Sequence, residues 1–447
     1  MDHPDFIHFN AKGNPVISCP ALADYIRQNL HYIFVRDSAR HGVLRYVYEG
    51  GVYRPDDMLK GLIKNCIASY DSEMIEMRKV DETFRILTTD LNYIKDNPTI
   101  YQLLQFGFPK LNEQEQMKLL LSCKKIRDFQ SRIMYPIIKS AISKSVTQLS
   151  DDGFEYLNPS QSYLFISNHR DIILDTSFLN VLLHEKGFKM TASAMGSNLV
   201  NTPFLLAFAK LNRNFIIHRG LSPRETLQKS QLVSQFIARC VIEKNRSVWI
   251  AQREGRTKDG NDRTQQGVIK MLSMNCPKQM PLMTYFKQLH IVPMAISYEF
   301  DPTDILKIPA LLAQHHGVEY IKKENEDYNN IVQGLVGQKG CVHISVGKPL
   351  YEDLDLIAEQ EEHTNRQIQA LVELMDARIH SQYKLFASNY IAYDLLNDIE
   401  RFSDKYTEKE LRQFERRLEN RSNSEGNISR KKFLEMYANP VINKLKL

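Results

Sequence analysis

The chain has 447 residues and a formal net charge of +5 at pH 7, and this length accommodates two or three domains, or one large domain with appendages. Its hydrophobic fraction of 43% and charged fraction of 25% are typical of a globular protein that buries a sizeable core. The small positive excess permits an anionic partner, such as phosphate, nucleic acid or a lipid surface, but does not require one.

The six cysteines lie far apart and form no CxxC or Cys/His cluster. We therefore expect reduced thiols, as in a cytoplasmic protein, and neither a metal site nor a disulfide framework. The first residues lack the basic and apolar regions of a signal peptide. No run of about 18 uncharged apolar residues predicts a membrane-spanning helix, so we expect any action on lipid to take place at the membrane surface.

The first 98 residues differ in pattern from the rest of the chain. Residues 45–53 predict a β-hairpin that turns on Gly50 and Gly51, and residues 57–67 predict a helix. Residues of about 20–95 resemble a segment of phage-type primases, although the chain has no GxxxxGK[ST] phosphate-binding motif. We interpret residues 1–98 as a small α+β appendage without activity of its own. The alternative, a nucleic-acid-associated protein, predicts salt-sensitive DNA binding.

Residues 101–149 have a helical pattern, with a capping sequence at residues 112–115. Apolar residues recur along one face between residues 126 and 142, while Lys139 and Lys144 lie off this face. We interpret the stripe as packed on its own domain, and the alternative is a basic helix on an anionic membrane. Residues 351–447 are charged and helical in pattern, and the run at 408–421 is interpreted as a solvated helix face.

Strands and helices alternate between residues 160 and 350, as in a parallel sheet flanked by helices. The predicted strands are residues 163–168, 190–194, 214–218, 247–251, 291–298 and 341–346. The sequence therefore predicts an α/β fold with a largely parallel sheet. We divide the chain into the appendage (1–98), a helical lead-in (99–160), a catalytic domain (161–350) and a helical C-terminal region (351–447).

His169 lies where the strand at 163–168 leads into a helix at 176–185. Open α/β sheets place their chemistry at this carboxyl edge. A neutral imidazole there can take a proton from a hydroxyl if a carboxylate fixes its tautomer and stabilises the resulting cation. Asp171 and Asp175 are the two local candidates for that carboxylate.

Three further loops carry polar or distinctive residues. Arg219 follows the strand at 214–218, the turn Glu254-Gly255-Arg256 follows the strand at 247–251, and Pro293 lies inside the strand at 291–298. Arginine binds phosphate oxygens in a bidentate manner, and the alternative is pairing with Glu254 or Asp259 in surface salt bridges. A proline inside a strand usually marks an edge or a bulge.

Taken in order, these four segments resemble the four motifs of the glycerolipid acyltransferases. The resemblance extends over residues of about 99–447, and the set of four is far more specific than any one motif. It implies that His169 is the general base, that Asp175 orients it, and that Pro293 shapes the acyl-donor pocket. It also implies that Arg219, Glu254, Gly255 and Arg256 hold the phosphate of the acceptor.

Two positions depart from the family pattern. Five residues, rather than four, separate His169 from Asp175, so Asp171 stays as the second candidate. Arg256 directly follows Gly255, where the family has one residue between glycine and arginine.

The resemblance implies acyl transfer from acyl-CoA or an acyl carrier protein thioester to glycerol-3-phosphate or 1-acylglycerol-3-phosphate in phospholipid synthesis. The thioester is a co-substrate, and no bound cofactor is expected. The implied location is cytoplasmic and peripheral, on the inner face of the membrane. Another lysolipid is the alternative acceptor. The absence of a G-x-S-x-G sequence argues against a serine hydrolase.

Overall fold

The computed structural model of the chain describes residues 7–9, 15–17, 32–37, 42–49, 52–55, 91, 94–323, 325–422 and 426–447. The chain divides into two compact units, Met1–Ile86 and Leu87–Leu447. The second unit thus begins ahead of the predicted boundary at residue 98.

The described residues of the first unit form two antiparallel sheets. The strands are β1 (Ile7–Phe9), β2 (Pro15–Ile17), β3 (Tyr32–Asp37), β4 (Gly42–Glu49) and β5 (Val52–Pro55). β1 pairs with β2, and β4 pairs with both β3 and β5. Because Glu49 lies opposite Val52, the predicted hairpin over residues 45–53 is confirmed. The helix predicted for residues 57–67 lies outside the described residues.

The second unit is built on a seven-stranded sheet in the order β6-β12-β11-β7-β10-β8-β9. Its strands are β6 (Val146–Asp152), β7 (Leu164–Ser167), β8 (Ala192–Gly196), β9 (Asn214–Ile217), β10 (Val248–Ala251), β11 (Ile291–Tyr298) and β12 (Gly340–Val346). β11 and β12 are antiparallel, and the other neighbours are parallel. The predicted α/β fold with a largely parallel sheet is confirmed.

Helices flank this sheet on both faces and continue to the end of the chain. They are α1 (Pro98–Gly107), α2 (Glu113–Leu121), α3 (Ile126–Phe129), α4 (Tyr135–Ser145), α5 (Leu174–Glu185), α6 (Pro203–Leu211), α7 (Pro223–Ala238), α8 (Gln266–Ser273), α9 (Leu282–Gln288), α10 (Asp304–His315), α11 (Glu326–Val336), α12 (Tyr351–Gln360), α13 (Thr364–Ser381), α14 (Ala387–Asn397), α15 (Glu408–Arg421) and α16 (Gly426–Lys444). The predicted helical C-terminal region thus comprises α12 to α16.

The central strand β7 is buried along its whole length. Leu164 and Ile166 belong to the apolar core on one face of the sheet, and Phe165 belongs to the core on the other face. This alternation follows from the pleat of a strand, which directs successive side chains to opposite faces. A strand covered on both faces is a continuous apolar run, which is why the sequence predicts β7 well.

The segment predicted as a helical lead-in, residues 99–160, also supplies the edge strand β6. The prediction of helix up to residue 149 is therefore wrong at its end, because α4 stops at Ser145. The next residues, Val146 and Thr147, are β-branched and favour extended backbone. They begin the parallel pairing with β12, in which Val146 lies opposite Gly340.

The apolar stripe at residues 126–142 packs inside the unit, as predicted. Ile133 and Ile137 lie in one core cluster with Ile100 and Leu104 of α1. Lys139 remains exposed and forms an ion pair of 2.9 Å with Glu185. Among the residues that the structure describes, no helix combines the length and the apolar character needed to cross a bilayer.

Pro293 lies in an interior strand, so of the two predicted alternatives, a sheet edge or a bulge, the sheet edge is wrong. β11 has β12 on one side and β7 on the other. The Pro293 carbonyl accepts a hydrogen bond of 2.8 Å from the Gly347 amide. The proline nitrogen, which carries no hydrogen, therefore also faces β12. The β11–β12 ladder starts only at the next residue, Met294 opposite Val346. A Cβ at Gly347 would lie 2.5 Å from Gln382 Nε2, 2.8 Å from the Pro293 carbonyl oxygen and 2.9 Å from Pro293 Cγ, so the close approach of β11 and Gln382 requires a glycine at this position.

The start of the second unit is testable by truncation. Leu91 and Ile94 are 5% and 0% exposed and belong to the α1 core cluster. A chain of residues 97–447 lacks both side chains, which contribute about 3–6 kcal/mol by burial of apolar surface. We expect it to unfold at a clearly lower temperature than a chain of residues 87–447, as measured by circular dichroism. Equal unfolding temperatures would contradict this assignment of the core.

Candidate active site

The polar loop after β7 is held in place by a side chain that extends the sheet. Asn168 follows the strand and pairs with Ile296 of β11 as a backbone amide would. Its Oδ1 accepts from the Ile296 amide at 2.8 Å and its Nδ2 donates to the Ile296 carbonyl at 3.0 Å. His169 is consequently fixed at the carboxyl edge of the sheet, ahead of the start of α5 at Leu174.

His169 pairs with Asp175 in the first turn of α5. The Asp175 Oδ2 lies 2.7 Å from His169 Nδ1 and also accepts the backbone amides of Arg170 (2.6 Å) and Asp171 (3.1 Å). Because a carboxylate only accepts, His169 Nδ1 carries the hydrogen of this pair, and the lone pair lies on Nε2. The imidazole is 15% exposed, whereas the carboxylate is fully buried. The site can therefore take a proton from a group that approaches Nε2.

Asp171 has a different partner set. Its Oδ1 accepts the backbone amides of Ile173 (2.9 Å) and Leu174 (2.8 Å), so it caps the start of α5. Its Oδ2 is buried and has no hydrogen-bond partner within the described part of the chain. Burial and the nearby Asp175 carboxylate raise the pKa of Asp171. Of the two candidate aspartates, the structure places only Asp175 against the imidazole.

Two aromatic residues that sequence reasoning missed complete the surroundings of His169. The Tyr298 hydroxyl donates to Asp175 Oδ1 at 2.8 Å. Burial, and then the neighbouring carboxylates, hold the pKa of Tyr298 well above its usual value, so it stays a donor. Trp249 packs edge-on against the imidazole with ring centroids 5.4 Å apart. The sequence gives one indication for Tyr298. It is the last residue of β11, the strand next to β7.

Arg219, Glu254 and Gly255 lie together at the same sheet edge. Arg219 Nε lies 3.4 Å from Glu254 Oε1, and the two side chains are 35% and 67% exposed. Pairs with this exposure contribute little to stability, so the guanidinium can exchange this partner for an anion. Gly255 has a φ of +71°, which allows the chain to turn beside Arg219. The predicted alternative, a surface salt bridge with Glu254, is thus present for Arg219.

Arg256 lies in the same turn but has a neutral partner. Its Nη1 donates to Asn330 Oδ1 of α11 at 3.0 Å. The turn is joined to the catalytic loop by a hydrogen bond of 2.9 Å from the Thr257 amide to the His169 carbonyl. Arg256 is therefore close to His169 even though the turn is one residue shorter than in the family pattern.

Pro293 is the predicted site residue that the structure does not bring to this edge. It lies opposite Ile166 in the pairing of β11 with β7. His169 is three residues beyond Ile166, past the end of β7 at Ser167. Pro293 is buried and contacts Gly347.

Comparison with known proteins gives a match over part of the second unit. Residues 148–297 match the model of the Acyltransferase family. They thus form an acyltransferase-like domain.

The match confirms a resemblance to acyltransferases, and the predicted site residues of all four motifs lie within the matched residues. Among solved structures, the chain is similar to the 1-acyl-sn-glycerophosphate (LPA) acyltransferase PlsC from Thermotoga maritima. The two are 13% identical, with a TM-score of 0.26 and coverage of 65% of this chain and 97% of that chain. No match was found among curated proteins.

Residues beyond the matched segment hold the catalytic loop of the acyltransferase-like domain in place. Arg170 Nη2 lies 2.5 Å from the buried Asp262 carboxylate, which also accepts from the hydroxyl of Tyr383. Lys307 donates to the Arg170 carbonyl at 3.0 Å and pairs with Asp301. Since Tyr383 and Lys307 follow the matched segment, the later helices hold the loop that carries His169.

The pairing of His169 with Asp175 predicts that two isosteric substitutions, Asp175→Asn and Asp171→Asn, have unequal effects on turnover. Asp175→Asn removes the charge that stabilises the imidazolium and disturbs the tautomer, so we expect turnover to fall about 100- to 10,000-fold. Asp171→Asn keeps the oxygen that caps α5 and should reduce turnover far less. Steady-state kinetics of the two variants, with circular dichroism to verify folding, measure this difference. A larger loss for Asp171→Asn would contradict the assignment of Asp175.

Proposed function

We propose that the protein transfers an acyl chain from an acyl thioester to a hydroxyl of glycerol-3-phosphate or 1-acylglycerol-3-phosphate. The observation that carries this proposal is the pairing of His169 with the buried Asp175 in an acyltransferase-like domain. Arg219 and Arg256 in the neighbouring loops support a phosphorylated acceptor, because guanidinium groups suit phosphate oxygens.

The geometry supports a direct transfer in which the acceptor hydroxyl is the nucleophile. The Nε2 of His169 takes the hydroxyl proton as the oxygen attacks the thioester carbonyl, and Asp175 stabilises the imidazolium that forms. Collapse of the tetrahedral intermediate breaks the carbon–sulfur bond. The proton held by His169 then passes to the departing thiolate. The step thus balances without an acyl-enzyme.

Arg219 and Arg256 have different partners, and the partner affects how each guanidinium can bind a phosphate. Arg219 is paired with the exposed carboxylate of Glu254. An incoming phosphate can replace that carboxylate with little cost in free energy. Arg256 is hydrogen-bonded to an uncharged amide, so a phosphate need not displace a carboxylate from that hydrogen bond. Both acyl-CoA and an acyl carrier protein thioester can serve as the acyl donor. We also propose that the protein lies at the inner face of the membrane as a peripheral protein, where a lipid acceptor is available.

The proposed activity is tested with purified protein, acyl-CoA and acyl carrier protein thioesters, and a panel of glycerol phosphates and lysolipids. We expect thioester-dependent acylation, and a loss of about 100- to 10,000-fold in His169→Ala because the general base is removed. His184→Ala, at the far end of α5, is the matched control and should keep its activity. Turnover by His169→Ala near that of the unaltered protein would remove His169 from the mechanism.

The phosphate role of the arginines is tested by comparing two acceptors. Arg219→Ala or Arg256→Ala should raise the KM for a phosphorylated acceptor roughly 10- to 100-fold, since each removes charge-assisted hydrogen bonds. The KM for a monoacylglycerol without phosphate should change much less. Arg263→Ala, an exposed arginine nearby, serves as the control. Equal increases for both acceptors would show that the two charges act structurally.

A further inference from the structure

Helix α11 (Glu326–Val336) lies beyond the family match and carries none of the four motifs, yet it contacts three loops at the carboxyl edge of the sheet, two of which belong to the site. Asn198, after β8, donates to Asp327 Oδ2 at 2.9 Å. Arg256, after β10, donates to Asn330. Gly334 faces Asp171 in the loop after β7. Residues 327, 330 and 334 have the spacing of one helix face, so a single face of α11 spans the carboxyl edge of the sheet.

The closeness of this contact is clearest at Gly334. A Cβ at this position would come within 2.3 Å of Asp171 Oδ2. Any other residue there would displace the Asp171 carboxylate, and with it the loop that carries His169. The helix is therefore seated against the catalytic loop with no room for a side chain between them.

Asn330 is held in a fixed orientation. It is 2% exposed, and its Nδ2 donates to the Glu326 carbonyl at 2.8 Å. The amide oxygen must then face Arg256, to which it is bonded at 3.0 Å. An arginine has five N–H donors, so one bond to Asn330 fixes the guanidinium and leaves donors for a ligand.

The chemistry of the partner matters as much as its position. Arg219 pairs with a carboxylate, Glu254, which offsets part of its charge. Asn330 accepts a hydrogen bond but carries no charge, so it orients Arg256 without adding to the negative charge of Asp171 and Asp327, which already act on the guanidinium. A buried neutral acceptor is thus well suited to prepare a cation for a dianionic phosphate.

We propose that Asn330 is a positioning residue that holds Arg256 for the phosphate of the acceptor. This proposal rests on the proposed function and names the residue that sets its preference for a phosphorylated acceptor. It assigns a binding role to α11, a helix outside the matched acyltransferase segment.

The test compares Asn330→Ala with Asn329→Ala, an exposed asparagine at the next position of the same helix. We expect Asn330→Ala to raise the KM for glycerol-3-phosphate roughly tenfold with little change in kcat, since one hydrogen bond to a charged group is lost. Asn329→Ala should match the unaltered protein. In an Arg256→Ala background, Asn330→Ala should add little, because the two changes remove the same interaction.

Asn330→Asp separates positioning from structural support. It keeps an acceptor for Arg256, so a purely structural link would survive the change. On our proposal the added negative charge offsets that of Arg256, and the KM for glycerol-3-phosphate rises. This variant also replaces Asn330→Ala if the latter fails to fold. An unchanged KM in a folded Asn330→Asp, or additive effects of Asn330→Ala and Arg256→Ala, would overturn the proposal.

A binding measurement without donor keeps this test independent of acyl transfer. Inorganic phosphate and glycerol-3-phosphate should each raise the unfolding temperature of the unaltered protein and of Asn329→Ala, and should do so less for Asn330→Ala. If no thioester is turned over, the proposed function fails, whereas this difference still supports the role of Asn330. Equal stabilisation of all three proteins, or none of the unaltered protein, would overturn it.

Discussion

The second unit depends on one buried carboxylate, that of Asp175. Taking a carboxylate out of water is expensive unless donors replace the lost hydration. Four donors do so: the imidazole of His169, two backbone amides of the loop after β7, and the hydroxyl of Tyr298. These groups come from a strand-to-helix loop and from β11, so satisfying one anion fixes β7, β11 and α5 relative to one another. The proposed general base is itself one of the groups that hold the fold together.

A second set of buried charges lies beneath the same loop. Asp262 receives Arg170 from the catalytic loop and Tyr383 from the C-terminal region. Asp304 is likewise paired with Arg417 at 2.8 Å and with Arg421. The interpretation of residues 408–421 as a solvated helix face is therefore wrong for these two arginines. Ion pairs of this kind contribute specificity of position, since an unpaired partner would remain buried.

The elements that the sequence predicts correctly are those indicated by a pattern of neighbouring residues. The strands at 163–168 and 291–298 are continuous apolar runs, and His169 followed by two aspartates marks the strand-to-helix loop. The choice between the aspartates depends on how that loop turns, and the sequence leaves it open. Tyr298 and Asn330 were missed because each acts on a group far along the chain, at separations of 123 and 74 residues. The place of β11 inside the sheet depends on strand order, which no local pattern contains.

The contact between Pro293 and Gly347 has a consequence for how this chain can change. A side chain at residue 347 would begin 2.8 Å from the Pro293 carbonyl oxygen and 2.5 Å from Gln382 Nε2, so the backbone of the neighbouring strand itself closes this space. Because that carbonyl is present whatever residue stands at 293, replacing the proline does not open the position. Among relatives of this chain, a glycine should therefore persist at residue 347 even where residue 293 differs, and a mutant library gains nothing by varying the two positions together.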